Sequence, residues 1–541
     1  MAFVTAIAPL CLLVAIMTSP WPRRWCPVPA HIALPVVALV ACFLRLFDAE
    51  LVPIQAAVID GVLSSFTPLA IVFGAVLLFK TMEASGAMAV LADWLRRLSP
   101  DPIAQLMLVG WAFSFLIEGL SGFGTPAALA APILVGIGFP PLRVAAMCLV
   151  MNSVPVSFGA VGTPTWFGLS GVELAEGELA DIARRTALVH SAAAPIIALL
   201  ALRIVVSWSE IRRRLWFILL VVAGSVGPYV VTASVSVEFP SIVGGLSGLA
   251  VAGALVGRGI GLPVSSAAAL PPSAASMSVL RAASPLAATV VLLAMTRIES
   301  IGLKALLTSE AGAVSTTVPW LGEAWISPAL VVGVRSLLGT DAEWRMQLLY
   351  VPFLLPFVVV ALAAIPVLAM PAIAVRTAWG ETMRRLARPA VALAGALVLT
   401  TVMTLGGDAS PVAQIGLAAA GVAGQSWPFL APLLGALGAF FSGSNTVSNL
   451  TFAPVQASIA DALGLDRSTV LALQSVGGAM GNMICIHNIV AVAAVVGLSE
   501  SRVDGRSSGE VAAVLRRTIG PLAVYAFVAA AMAGLFAVVF G

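Results

Sequence analysis

Charge is what this sequence most lacks. Asp, Glu, Lys and Arg make up 10% of its 541 residues, against about 25% in a soluble globular chain. Hydrophobic residues make up 60%, and a mean hydropathy of +1.06 leaves too little polar surface for a set of soluble domains. Lysine is reduced to Lys80 and Lys304, neither preceded by the glycine pattern of a P-loop. The chain by itself is therefore not an ATP-driven pump. Cys11, Cys26, Cys42, Cys148 and Cys485 are an odd number without C-x-x-C spacing, which argues against a disulfide framework or a zinc site; neither a metal nor another cofactor is expected. The net charge of +3 is spread without a basic block, so nucleic acid is not an expected partner.

What is present is apolar runs. A spanning helix takes about 20 apolar residues, and runs near 2–19, 30–47, 56–79, 188–207, 214–234, 238–257, 283–298, 350–374, 389–405 and 518–540 read as spans. The first run lacks a basic leader and a small-residue cleavage site, so it reads as a retained span. Arginines gather at 23–24, 96–97, 212–214, 258 with 281, 384–388 and 502–517. The positive-inside rule makes these connections cytoplasmic and both termini external, with Arg184 and Arg185 as exceptions. The expected fold is an all-α polytopic membrane protein.

The two halves, 1–257 and 283–541, are joined by a Ser-, Ala- and Pro-rich linker at 258–282 and echo one another. Residues 118–126 read E-G-L-S-G-F-G-T-P and residues 152–164 read N-S-V-P-V-S-F-G-A-V-G-T-P. In the second half, 442–449 read S-G-S-N-T-V-S-N and 474–482 read Q-S-V-G-G-A-M-G-N. Asn152-Ser153-Val154 matches Gln474-Ser475-Val476, and Gly159–Gly162 matches Gly478–Gly481, at an offset of about 320 residues. In each half a glycine-rich polar tip separates two short apolar runs, as a re-entrant hairpin requires. Hairpins are expected at about 103–138 and 427–463, and broken helices at about 142–170 and 468–498. The charge map places the hairpins on opposite sides, so the repeats are expected to be inverted.

The tips suggest an anion site. Thr125-Pro126 and Thr163-Pro164 each combine an N-cap residue with proline at the first helical position. Helix N-termini there would offer free N–H groups and positive dipole ends to a carboxylate. The candidate binding residues of the first half are Ser121, Gly122, Phe123, Gly124, Thr125, Asn152, Ser153, Gly162 and Thr163. Those of the second are Ser444, Asn445, Thr446, Asn449, Ser475, Gly478, Asn482 and Asn488. The blander reading of such residues is helix-packing glue.

Ionisable side chains at bilayer depth are functional by default, which singles out Glu118 at the first tip and His487 beyond the second break as groups able to carry a proton. Asp60, Lys80 and His190 are weaker candidates. An alternative of another class exists, because Gly119-Leu120-Ser121-Gly122 fits the G-x-S-G pattern of an intramembrane serine protease with His190 or His487 as base. It gives no reason for the second cluster some 320 residues on.

With these motifs assembled, the chain resembles the bacterial lactate permease family. The resemblance rests on E-G-L-S-G-F-G-T-P, L-V-G-I-G-F-P-P-L-R-V-A-A and N-S-V-P-V-S-F-G-A-V-G in the first half. It extends to T-R-I-E-S-I-G-L-K-A-L-L at 296–307, F-F-S-G-S-N-T-V-S-N at 440–449 and S-V-G-G-A-M-G-N-M at 475–483. It implies proton-coupled uptake of lactate or glycolate across the bacterial cytoplasmic membrane by alternating access. The partners it implies are a small carboxylate, a proton and the lipid bilayer, with sodium as an alternative coupling ion and a homodimer left open. Some members carry aspartate where this chain has Asn445, and a lysine with Ser-Pro-Gln where it has Asn482 and then Cys485-Ile486-His487, so the resemblance leaves room for a different small carboxylate.

Overall fold

The computed structural model describes residues 2–18, 28–47, 49–122, 125–262, 277–297, 301–498 and 507–540. Among them nine helices are long and apolar enough to cross a bilayer, or eleven if each of two bent pairs counts as one span. The protein is a mostly helical, multi-pass membrane protein. It packs as two units, Met1–Leu91 with Ser273–Ile415, and Ala92–Pro272 with Gly416–Gly541. Each unit takes one segment from either half of the chain, so packing divides the molecule differently from sequence order.

The second unit holds both hairpins. Asp101 starts the first by accepting from Ile103 N (2.9 Å) and Ala104 N (3.1 Å), with Pro102 at the first helical position where no donor is missed. The arm then runs to Ser121, longer than the 103–117 run suggests, so Glu118 lies in its last helical turn. Its middle, Leu106–Phe113, widens into a π-helix in which Ser114 Oγ donates to Val109 O at 3.1 Å. The second arm, Thr125–Ile137, packs against the first. Behind them Pro141–Asn152 and Val156–Trp166 meet at a bend of 63°.

In the second half Trp427–Ser442 and Asn445–Leu463 are followed by Arg467–Ile484, bent by 42° against Asn488–Val495. Glycines allow the closest helix crossings. A Cβ on Gly477 would stand 2.1 Å from Pro432 O, one on Gly481 2.3 Å from Ala436 O, and one on Gly435 2.3 Å from Gln474 O. Close backbone approach replaces the hydrophobic drive that lipid removes. The first hairpin uses Gly119 and Gly245 in the same way, against Ile242 N and Leu116 N. Arg184 and Arg185, the exceptions to the charge rule, have a packing reason. Arg184 pairs with Asp181 (2.5 Å), while Arg185 pairs with Asp181 (2.6 Å) and Asp466 and donates to Thr469 Oγ1, tying helix Glu178–Val205 to the start of Arg467–Gly481.

The first unit departs from expectation twice. The runs at 350–374 and 389–405 are divided differently: a helical segment Leu354–Val367 ends before Pro371, and one helix, Ala372–Thr404, carries Arg384, Arg385 and Arg388 inside it. At 1.5 Å per residue its 33 residues span about 50 Å, which exceeds a hydrocarbon core of about 30 Å and leaves length for charge outside it. Lys80, a weak candidate by sequence, is buried and paired with Glu83 (2.5 Å) and with Glu381 of this helix (2.6 Å). Asp60 accepts from Ser64 Oγ at 3.0 Å. The second departure is a small sheet in an otherwise helical chain. Strands β1 (Val314–Val318), β2 (Gly322–Ile326), β3 (Val331–Arg335) and β4 (Trp344–Gln347) form an antiparallel meander in sequence order. Its β-branched runs V-S-T-T-V and V-V-G-V-R between Gly and Pro turns are an ordinary strand signal.

Candidate functional site

All of the site lies within the second unit. At the first tip Gly122 turns the chain with φ +59°, and a Cβ there would meet Ala160 N at 3.1 Å. At the second, Gly443 (φ +72°) ends one arm and Ser444 caps the next, its side chain accepting from Val447 N at 3.3 Å. Both tips and both breaks contribute to one hollow of about 260 Å³, its open mouth included. Much of that space is open at the mouth, and the enclosed part is small. Its walls are Glu118, Gly122, Val156, Gly159, Ala160, Pro164, Gly443, Ser444, Asn445, Thr446 and Asn482.

Glu118 is the one ionisable side chain among these lining residues. It is 2% exposed, and its Oε2 accepts from Asn152 Nδ2 at 3.0 Å. Neither an arginine nor a lysine among the described residues pairs with it. Its Oε1 rests against Gly159, where a Cβ would come within 2.3 Å, so the glycine of the first break makes room for the carboxyl of the first tip. The same hollow is lined by the N-terminus of the 19-residue helix Asn445–Leu463, the positive end of a long dipole. Burial without a cation leaves Glu118 able to exchange a proton but poorly suited to share the hollow with a second negative charge.

The other expected residues divide into those at the hollow and those supporting it. Gly122, Ser444, Asn445, Thr446 and Asn482 line it. Ser121 Oγ donates to Ile117 O (2.9 Å) and Ser153 Oγ to Val150 O (2.7 Å), each within its own helix. Asn449 Nδ2 reaches Pro164 O at 2.9 Å, and Asn488 Nδ2 bonds to Asn482. Gly478 lies beneath Asn445, its would-be Cβ 1.9 Å from Asn445 Oδ1. Thr125 is the first residue of the second arm, with its N–H on Gly122 O at 3.1 Å. Phe123 and Gly124 lie outside the described residues, as does the side chain of His487, whose backbone is in helix Ile486–Val495.

Thr163 does not behave as expected. The break is a left-handed turn in which Ala160 (φ 43°), Val161 (φ 56°) and Gly162 (φ 72°) precede only a short helical stretch ending at Trp166. Thr163 Oγ1 donates back to Ala160 O at 2.5 Å instead of capping N–H groups. Without a helix of useful length behind it there is no macrodipole to attract an anion. Gly162 is needed for a different reason: a Cβ there would stand 2.0 Å from Val237 O.

Ser157 and Tyr525, missed by sequence, join His190, Ser475 and Asn445 in a polar network behind the hollow. Ser157, inside the quoted N-S-V-P-V-S-F-G motif, meets His190 Nε2 at 2.8 Å, Ser475 Oγ at 3.1 Å and Asn445 Nδ2 at 3.3 Å. His190 is fully buried, with its Nδ1 hydrogen-bonded to Tyr525 Oη. It therefore does not serve Ser121, and the Ser121–His190 dyad of the protease reading is not formed. A second chain runs through hairpin two: Trp427 Nε1 donates to Gln456 (2.6 Å), Gln456 to Gln474 (2.9 Å), and Gln474 to Ser448 Oγ (3.1 Å). Serines and glutamines between apolar residues were the available signal, but it does not say which partners meet.

A multi-pass helical protein with two hairpin tips and two interrupted helices around a small polar hollow is built as a membrane transport protein. Comparison with known proteins agrees. The profile of the family described as L-lactate permease matches residues 2–540. A protein of Haemophilus influenzae named "Putative L-lactate permease" is 43% identical over 98% of this chain and 97% of its own length. The L-lactate permease of Escherichia coli (strain K12) is 28% identical over 82% of this chain and 81% of its own, and a glycolate permease of the same strain is 26% identical over 86% of each. The chain belongs to the L-lactate permease family; its relatives are permeases, not enzymes.

Proposed function

We propose that this protein is a secondary active transporter that carries a small 2-hydroxy monocarboxylate, lactate or glycolate, together with a proton into a bacterial cell by alternating access across the cytoplasmic membrane. The relatives' names supply the substrate class, since they include both an L-lactate permease and a glycolate permease. The observation that carries the coupling is the lone buried carboxyl of Glu118 in a hollow otherwise lined by neutral groups. A carboxylate seated at the Ser444–Thr446 helix end would face Glu118, and two negative charges in one dry hollow repel strongly. Substrate and proton therefore enter as a neutral pair, with the protonated Glu118 able to donate to the anion.

Electrostatics requires such a partner, because anion entry against 100 mV, negative inside, costs about 2.3 kcal/mol per charge. Inverted repeats with re-entrant hairpins would give the two access routes, a reading supported by the sequence echo between the halves. The test is uptake of labelled lactate, glycolate and succinate into proteoliposomes carrying either a proton gradient or a sodium gradient alone. Accumulation of the two monocarboxylates under the proton gradient is expected. Accumulation under sodium alone would sink the coupling reading, and preference for succinate would sink the substrate reading.

A further inference from the structure

Ser157 joins four parts of the second unit at one oxygen. It lies in the first broken helix, and its Oγ contacts the second tip through Asn445, the second broken helix through Ser475, and helix Glu178–Val205 through His190. A hydroxyl has one proton and two lone pairs, so these contacts compete. When the Ser157 proton is donated to Ser475 O at 3.2 Å, the oxygen can only accept from its other neighbours. His190 Nε2 must then carry a hydrogen, and Nδ1 must accept from Tyr525 Oη. The chain has one direction: Tyr525 to His190 to Ser157 to the Ser475 carbonyl. In that direction His190 Nε2 takes one lone pair of Ser157, and Ser475 Oγ and Asn445 Nδ2 compete for the other. The Asn445 contact, at 3.3 Å, is longer than those of His190 (2.8 Å) and Ser475 Oγ (3.1 Å), so it is the weakest of the three competitors.

We propose that His190 and Tyr525 are positioning residues. They keep the Ser157 hydroxyl turned toward Ser475 and thereby hold the Asn445 amide in the orientation that the substrate site uses. This rests on the reading above that places substrate at Asn445. Neither residue lines the hollow, so they act through Ser157 and not by contact. In Tyr525→Phe the Nδ1 partner is lost and the imidazole is free to take the other tautomer. Ser157 then donates to His190 and no longer to Ser475 O, its hydroxyl turns, and the geometry it offers Asn445 Nδ2 changes.

The experiment measures initial uptake rates of labelled lactate in proteoliposomes, with the amount of inserted protein determined for each variant. Tyr525→Phe and His190→Leu should raise KM about three- to tenfold, the effect of one neutral hydrogen bond, with Vmax per inserted protein within about twofold. His190→Gln places an amide nitrogen where Nε2 stands and should restore KM toward the parent value. In the Asn445→Ala background Tyr525→Phe should add nothing further, since coupled residues are not additive. If Asn445→Ala raises KM but Tyr525→Phe leaves it at the parent value, the positioning role is refuted while the site stands. An unchanged KM in Asn445→Ala refutes the site itself. Should His190→Leu fail to insert, Tyr525→Phe and its double variant decide the matter.

Discussion

Glu118→Gln separates binding from coupling, and the structure says why it should leave the fold intact. The Gln carbonyl can keep the 3.0 Å bond from Asn152 Nδ2 that Glu118 Oε2 now accepts, and the amide nitrogen falls where Oε1 lies. No ion pair is broken, so the change in stability should stay within about 1 kcal/mol, and membrane abundance should be near the parent level. The amide imitates a carboxyl that never releases its proton. A one-to-one proton–carboxylate symporter is electroneutral, so voltage drops out and only the pH gradient drives it. One pH unit is worth about 1.36 kcal/mol, a tenfold accumulation. The variant cannot complete the proton step and should show none, while exchange of labelled for unlabelled substrate between equal pools persists. If it carried the anion alone, 100 mV negative inside would hold internal substrate about fiftyfold below external. The assay is accumulation in proteoliposomes with an internal pH one unit above the external, alongside equal-pool exchange. Tenfold accumulation persisting in Glu118→Gln would refute the assignment; persistence there with loss in His487→Gln would transfer it to His487.

Neighbouring glycines should behave differently. Gly477→Ala drives a Cβ against the Pro432 carbonyl, an immovable backbone atom, and overpacking should cost about 1–3 kcal/mol, read as lower abundance and thermal stability in detergent. Gly478→Ala meets the movable tip of Asn445 instead and should raise KM with less loss of abundance, so equal KM in the two variants would count against the site. Arg185→Gln removes the ties to Asp181, Asp466 and Thr469; with those carboxylates partly exposed, a loss of about 1–3 kcal/mol is expected, and unchanged thermal stability would show the cluster to be ornamental. Arg97→Cys and Arg385→Cys in a cysteine-free background should react with an impermeant thiol reagent only from the cytoplasmic side and Glu238→Cys only from outside. Reaction of Arg97→Cys and Glu238→Cys from one side would break the proposed orientation and the inverted repeat with it.

Local features were legible in the sequence. Sixty per cent apolar residues and few charges settle the membrane class, because hydrophobicity acts on each segment before any contact forms. Gly122, Gly443 and the Ser444 cap mark the tips for the same reason: backbone freedom and capping involve only a few adjacent residues. Periodicity and hydropathy failed where neighbours overrode them. The arginine-rich stretch at 384–388 sits inside a long helix, and Thr163 follows a left-handed turn instead of starting a helix of useful length. Which candidates reach the hollow was decided by tertiary structure alone. Glu118 meets Asn152 across 34 residues, and Ser157 meets His190, Asn445 and Ser475 across 33, 288 and 318. Bonds of that separation depend on how helices cross. The crossings depend in turn on backbones brought together at Gly119, Gly245, Gly435 and Gly477, a matter of three-dimensional fit that no local pattern encodes.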